Sequence, residues 1–258
     1  MIFIFSGTGN SYSVALRVSE AMGIGLVDVA SSVRYKRYGF DAKGEDVGFI
    51  FPTYYGGLPR MVLEFARNVK VSNPGRVFCI TTCGGESGGA CEMLREELGP
   101  RLSVDVSYDV LMPDNAVFAF DMPTKEQAAE ILKASDAEVE GIIASLKAGD
   151  VGDRCVHRSD MDWRELYKKY DEVRVTEPFT LTDRCIECKI CAEICPERVI
   201  VFYHRRPVWD EEKCSLCMGC IQMCPKRAIE FGEATVNRGR YWNPAYYEKT
   251  LGIKLQYE

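Results

Sequence analysis

Cys185, Cys188, Cys191 and Cys195 follow the spacing C-x2-C-x2-C-x3-C, with Pro196 behind the last. Cys214, Cys217, Cys220 and Cys224 repeat that spacing 29 residues later and are again closed by a proline, Pro225. A four-iron cubane needs four thiolates converging on its corners, and a tight loop of two-residue steps presents only three. The fourth must come from elsewhere in the chain. This is a two-cluster iron-sulfur signature, and it makes electron transfer the leading subject. Zinc sites take their ligands as two C-x-x-C pairs rather than as a run of four with proline, which weighs against zinc knuckles or a disulfide framework.

The two runs resemble those of bacterial-type ferredoxins. That resemblance implies crossed ligation, in which the last cysteine of each run serves the other cluster. One cluster would take Cys185, Cys188, Cys191 and Cys224, and the second Cys214, Cys217, Cys220 and Cys195. Pro196 and Pro225 would turn the chain away after each fourth ligand, a role compatible with starting a helix. Cluster potentials run from about −700 to +450 mV across types, and the low end is expected here.

With 258 residues and 47% apolar content, the chain can bury a core without cysteine as a staple. Its 12 cysteines therefore point to metal in a reducing compartment, and oxygen-sensitive cubanes hint at an anaerobic host. Met1-Ile2-Phe3-Ile4-Phe5 has no basic flank and breaks at Ser6-Gly7, too short for a signal peptide or a membrane span. The expectation is a cytoplasmic protein without a membrane span. Formal net charge is −6, yet residues 181–232 balance eight Lys/Arg against eight Asp/Glu, so nothing there suggests nucleic acid. Arg205-Arg206 is either a docking face for an acidic redox partner protein or an ordinary solvated surface.

A second module reads from the N-terminus. Residues 2–5 form a short buried-strand pattern that breaks at Ser6-Gly7-Thr8-Gly9-Asn10-Ser11, after which Val14, Ala15, Val18 and Ala21 fall at helical spacing. Small residues and hydroxyls at a helix start, with backbone N–H groups and the helix dipole, favour a phosphate. Gly7-x-Gly9 with Asp28 after the next apolar run mimics a dinucleotide fingerprint, but Tyr12 stands at the third glycine position. Residues 47–51 and 77–81 are further apolar runs, feeding the glycine-rich turns 52–59 and 82–89. A helix over 90–98, a strand over 104–111 and a long amphipathic helix over 123–146 follow. Residues 151–180 read as a charged connector with one helix at 163–170.

Ser6-to-Ser11 resembles the phosphate loop of flavodoxins, the small FMN proteins. Together with Met112-Pro113-Asp114-Asn115 and Asn237-Arg238-Gly239-Arg240-Tyr241, which follows the cysteine runs, nearly the whole chain resembles the flavodoxin-ferredoxin fusion proteins of anaerobic bacteria and archaea. The resemblance implies an α/β fold. A flavodoxin-like, doubly wound, parallel five-stranded sheet of order 2-1-3-4-5 would span 1–150, followed by the connector 151–180. A small α+β bacterial ferredoxin domain with two [4Fe-4S] clusters would span 181–232, and a tail 233–258. In such a sheet the flavin lies at the carboxyl ends of the strands, beside the switch point.

By the same resemblance, FMN would be held by Ser6, Gly7, Thr8, Gly9, Asn10, Ser11, Thr53, Tyr54, Tyr55, Gly56, Thr82, Cys83, Gly84 and Gly85. The first loop would take the phosphate. The other two would flank the ring, with Tyr54 or Tyr55 stacked on it and glycines allowing close backbone approach. Asp114 and Asn115 either face the flavin or turn the chain. Cys83 either tunes the flavin or is simply packed; Cys79 and Cys91 read as core. Cys155, in the connector, has no evident partner, and neither His157 nor His204 has the neighbours of a metal site. Cubanes pass single electrons and FMN one or two, so the implied function is a one-to-two electron converter for a redox partner protein. The alternatives are a flavoenzyme reducing a quinone or another flavin, and a flavin-free ferredoxin with a docking domain. No acid, base or nucleophile marks a catalytic residue.

Overall fold

A computed structural model of the chain describes residues 1–158 and 160–245. The end of the predicted tail, 246–258, lies outside the described residues. The N-terminal part is built on β1 (Ile2–Ile4), β2 (Leu26–Asp28), β4 (Val47–Pro52), β6 (Val77–Cys83), β7 (Val106–Leu111) and β8 (Gly152–Asp153), with β3 (Gly39–Asp41) and β5 (Lys70–Ser72) paired separately beside them. The first six form one sheet of spatial order β2-β1-β4-β6-β7-β8, and every pairing in it is parallel.

Continuous apolar runs such as Val47-Gly48-Phe49-Ile50-Phe51 are what a parallel sheet covered on both faces requires. Alternation along the strands divides the core in two. Phe3, Phe5, Phe49, Phe51 and Cys79 pack toward α2 (Val29–Arg34), α3 (Arg60–Asn68) and α4 (Ala90–Leu98). Ile2, Ile4, Ile50, Ile80 and Val110 pack toward α1 (Asn10–Met22) and α5 (Lys125–Ala148). Full burial of each such side chain contributes about 1.5–3 kcal/mol, so these two layers fix the sheet. Sharp signals bound α5: Thr124 and Gln127 close a capping box at its start, and Gly149 takes φ 82° at its end.

The sheet carries six strands rather than five. Gly152 and Asp153, at the start of the predicted connector, pair with Val106 and Ser107, and two residues are too few for any periodicity to register. The rest of the connector docks as α6 (Trp163–Lys168) and α7 (Tyr170–Val173). Beyond it, β9 (Phe179–Leu181) pairs antiparallel with β12 (Ile229–Phe231), and β10 (Ile200–Tyr203) forms a hairpin with β11 (Arg206–Trp209). The short helices α8 (Ile190–Glu193) and α9 (Gly219–Gln222) lie within the two cysteine runs.

Candidate cluster sites and an adjoining cavity

The two cysteine runs fold alike. Glu187, Lys189 and Arg198 have left-handed backbones with φ of 60°, 67° and 59°, and their counterparts 29 residues on, Leu216, Met218 and Arg227, have φ of 53°, 58° and 45°. Non-glycine residues rarely adopt this region, and such strain gathers at functional sites. Here it turns each loop so that N–H groups point back at sulfur: Glu187 N–H donates to Cys185 Sγ (3.5 Å) and Leu216 N–H to Cys214 Sγ (3.3 Å).

Two recesses collect the cysteines. An outer one is lined by Cys185, Cys188, Cys191 and Cys224, with Phe202 and Pro207 of the hairpin covering it. An inner one is lined by Cys195, Cys214, Cys217 and Cys220. Each recess thus takes three cysteines from one run and the last from the other. Cys188 alone of the eight is exposed. Burial, reinforced by neighbouring cysteines, pushes the Cys191 and Cys214 thiols up to about 12, so without metal they are neutral. A bound cation inverts that preference, because a coordinating thiol is deprotonated outright.

A cavity of about 580 Å³ opens at the carboxyl ends of β1, β4 and β6. Ser6, Gly7, Thr8, Asn10 and Ser11 line it, as do Thr53, Tyr54, Tyr55, Gly56, Thr82, Cys83, Gly84 and Gly85. Gly9 does not; it caps α1 with φ 102°, a conformation glycine suits. Several first-loop side chains are spoken for. Ser6 Oγ accepts from Gly9 N–H (3.0 Å), Ser11 Oγ pairs with Thr82 Oγ1 (2.7 Å), and Asn115 donates to Thr8 Oγ1. Thr53 Oγ1, by contrast, is buried with no hydrogen-bond partner among the described residues.

Tyr55 runs near-parallel to Phe118 and to Tyr170, at centroid distances of 6.5 and 5.7 Å. Tyr54 meets Tyr170 edge-on at 6.1 Å. Asp114 sits against Gly84, where a Cβ would meet its carboxylate at 2.6 Å. Among the described residues the lining carries two acids, Glu86 and Asp114, and no lysine or arginine. Cys83 is 4% exposed; burial first, and the Asp109 and Glu138 charges next, push its thiol far up.

The far wall of the cavity comes from the cysteine-rich part. Leu216, Cys217 and Met218 line it. Gly7 packs tightly against them: a Cβ there would lie 2.8 Å from both Cys217 Cβ and its carbonyl oxygen. Gln222, fully buried beside Cys220, donates to Asn115 O (2.8 Å) and accepts from Tyr241 N–H (2.8 Å). Tyr241 OH in turn donates to Asn10 Oδ1 (2.8 Å), and Asn243 N–H donates to Thr8 O (2.8 Å). Sequence reasoning did not single out Gln222, Tyr170, Met218 or Asn243. Met218 and Gln222 are spacer residues of the second cysteine run and Tyr170 and Asn243 lie outside both runs, so no motif position marks any of them and only long-range packing brings them to the site.

Residues 167–229 match the family model of the 4Fe-4S dicluster domain. The C-terminal part of the chain is therefore a ferredoxin-type domain that binds 4Fe-4S cluster and supports an iron-sulfur electron-transfer role. A search of curated proteins gave no match. Among the described residues no helix is long and apolar enough to cross a membrane.

Proposed function

We propose that the protein carries electrons for a redox partner protein in the cytoplasm, between two [4Fe-4S] clusters in the outer and inner cysteine recesses and an FMN in the 580 Å³ cavity. In this reading the flavin-holding part covers 1–150 and the cluster-holding part 181–232. When bound, the clusters exchange single electrons and the flavin one or two, which makes the pair a one-to-two electron converter. The sheet order supports the reading, since the five longer strands run 26–28, 2–4, 47–52, 77–83, 106–111, with the cavity beside the switch between β1 and β4.

The chain's own residues have definable tasks. Backbone N–H groups and the helix dipole at the start of α1 would receive an anionic phosphate. Tyr55 and Phe118, which both line the cavity, would supply aromatic contacts to a tricyclic system. Asp114, held by Ala116 N–H at 2.7 Å, can accept from an imide N–H of the ring. The shared wall is the observation that carries the reading: Cys217, in the inner cysteine recess, also lines the cavity.

Anaerobic purification, with iron, acid-labile sulfide and released FMN quantified before and after stepwise reduction, tests this. About eight iron and one FMN per chain, with cluster bleaching and flavin reduction as separate steps, is the expected result. Iron without FMN, even after incubation with it, would leave a ferredoxin carrying a docking domain. Quinone turnover without any partner protein would move the assignment to a flavoenzyme.

A further inference from the structure

Cys217 and Met218 line both the cavity and the inner cysteine recess, so a single stretch of chain separates the two. It is pressed in place from the cavity side. The Gly7 contact leaves no room for a Cβ, and a Cβ at Gly219 would lie 2.8 Å from the Gly7 carbonyl oxygen. Met218 is 2% exposed, and both Leu216 and Met218 hold left-handed backbones that their surroundings must enforce. Among the described residues, the outer recess shares no lining residue with the cavity.

We infer that the cavity and the inner cysteine site are thermodynamically coupled through this shared wall: metal held by Cys195, Cys214, Cys217 and Cys220 tightens FMN binding, and the outer cysteine site has no such influence. This rests on the flavin reading above. Ligation gathers Cys214, Cys217 and Cys220 about one point and so fixes residues 216–218. A wall fixed in advance spares the ligand the cost of ordering it. Reciprocity follows, so FMN must in turn help the inner site retain its metal. Gly7 and Met218 are positioning residues in this scheme.

The test is FMN affinity, read by flavin fluorescence quenching on the full-length chain. Four forms are compared: cluster-loaded wild type, iron-free wild type, loaded Cys195→Ser and loaded Cys188→Ser. Cys195 belongs to the inner set without touching the cavity, and Cys188 belongs to the outer set. The iron-free and Cys195→Ser forms are expected to bind FMN at least about fivefold more weakly than loaded wild type, the low end of typical site-to-site coupling. Cys188→Ser is expected to match wild type. Equal affinity with and without iron overturns the coupling, and so does equal weakening by Cys188→Ser and Cys195→Ser, which would report general loss of fold. FMN binding to none of the forms defeats the flavin reading itself. Should Cys195→Ser not fold, the reciprocal measurement decides, on wild type alone: iron release to a chelator must slow when FMN is added, and an unchanged rate refutes the proposal.

Discussion

Gly57 and Gly89 stand in the two later glycine-rich loops, and a Cβ at either would clash with an aromatic ring, that of Tyr167 at Gly57 and that of Trp163 at Gly89. These glycines admit the connector helix α6 rather than a flavin. Gly89→Ala forces the indole aside, and overpacking of this kind costs about 1–3 kcal/mol. A fall in the denaturation midpoint at unchanged slope is the expected outcome; an unshifted midpoint would show that Trp163 relocates freely. The loops were legible as turns from their glycines, and the strands feeding them from their apolar runs. Their packing partners were not, because Trp163 and Tyr167 lie far along the chain with no spacing to link them. Cys83 is a second residue whose setting decides its chemistry. Its thiol is held neutral by burial and donates weakly toward Val110 O (3.8 Å), so it is no nucleophile at ordinary pH. Iodoacetamide at pH 8 is expected to leave Cys83 unmodified in the folded protein, as peptide mass mapping would show; ready alkylation there would overturn the assignment of an inert, packed thiol.

At the scale of elements, the connector is a structural part of the molecule in its own right. The sequence marks one helix in it at 163–170, and two short ones form, α6 and α7, with Tyr170 opening the second. Tyr170 is 3% exposed, and its hydroxyl donates to Ser215 O (2.7 Å) while accepting from Arg60 N–H (3.4 Å). It thereby joins α3 to the loop carrying Cys214. Tyr170→Phe keeps the ring and strands a buried carbonyl and amide, at about 1–3 kcal/mol. Thermal unfolding compared with wild type checks this, and equal stability would mean that water replaces the hydroxyl. The segment after β12 repeats the lesson. Its alternating aromatic and basic residues have no helical or strand period, yet Arg240 forms a pair with Glu230 at 2.7 Å, with side chains 2% and 4% exposed. Removing one partner of a buried pair costs about 3–5 kcal/mol, so Arg240→Met is expected to destabilise the chain far more than a surface substitution. Urea denaturation measures it, and a loss indistinguishable from that of an exposed arginine such as Arg205 would contradict the burial argument.

Across the whole molecule, the N-terminal sheet and the cysteine-rich part meet along a seam that runs through the metal-site loops. Arg34 donates to Pro196 O (2.7 Å), Arg60 pairs with Glu197 (3.4 Å), and Gln222 and Tyr241 tie α9 to the Asn115 loop and to Asn10. Pro196 and Glu197 directly follow Cys195, and Gln222 lies between Cys220 and Cys224. A seam anchored on such residues responds to whatever holds those cysteines. Without metal the inner recess keeps buried neutral thiols with nothing binding them together, and the strained residues Leu216 and Met218 lose the ligation that justifies their conformation. Local opening should therefore spread along the seam. Amide hydrogen exchange by mass spectrometry, before and after anaerobic chelation of iron, is expected to show faster exchange in residues 8–12 and 112–118 as well as in 185–224. The pair β3 and β5, which supplies none of these seam contacts, should keep its protection. Faster exchange confined to 185–224 would mean that side-chain contacts alone hold the two parts together and that the metal sites stabilise only their own loops.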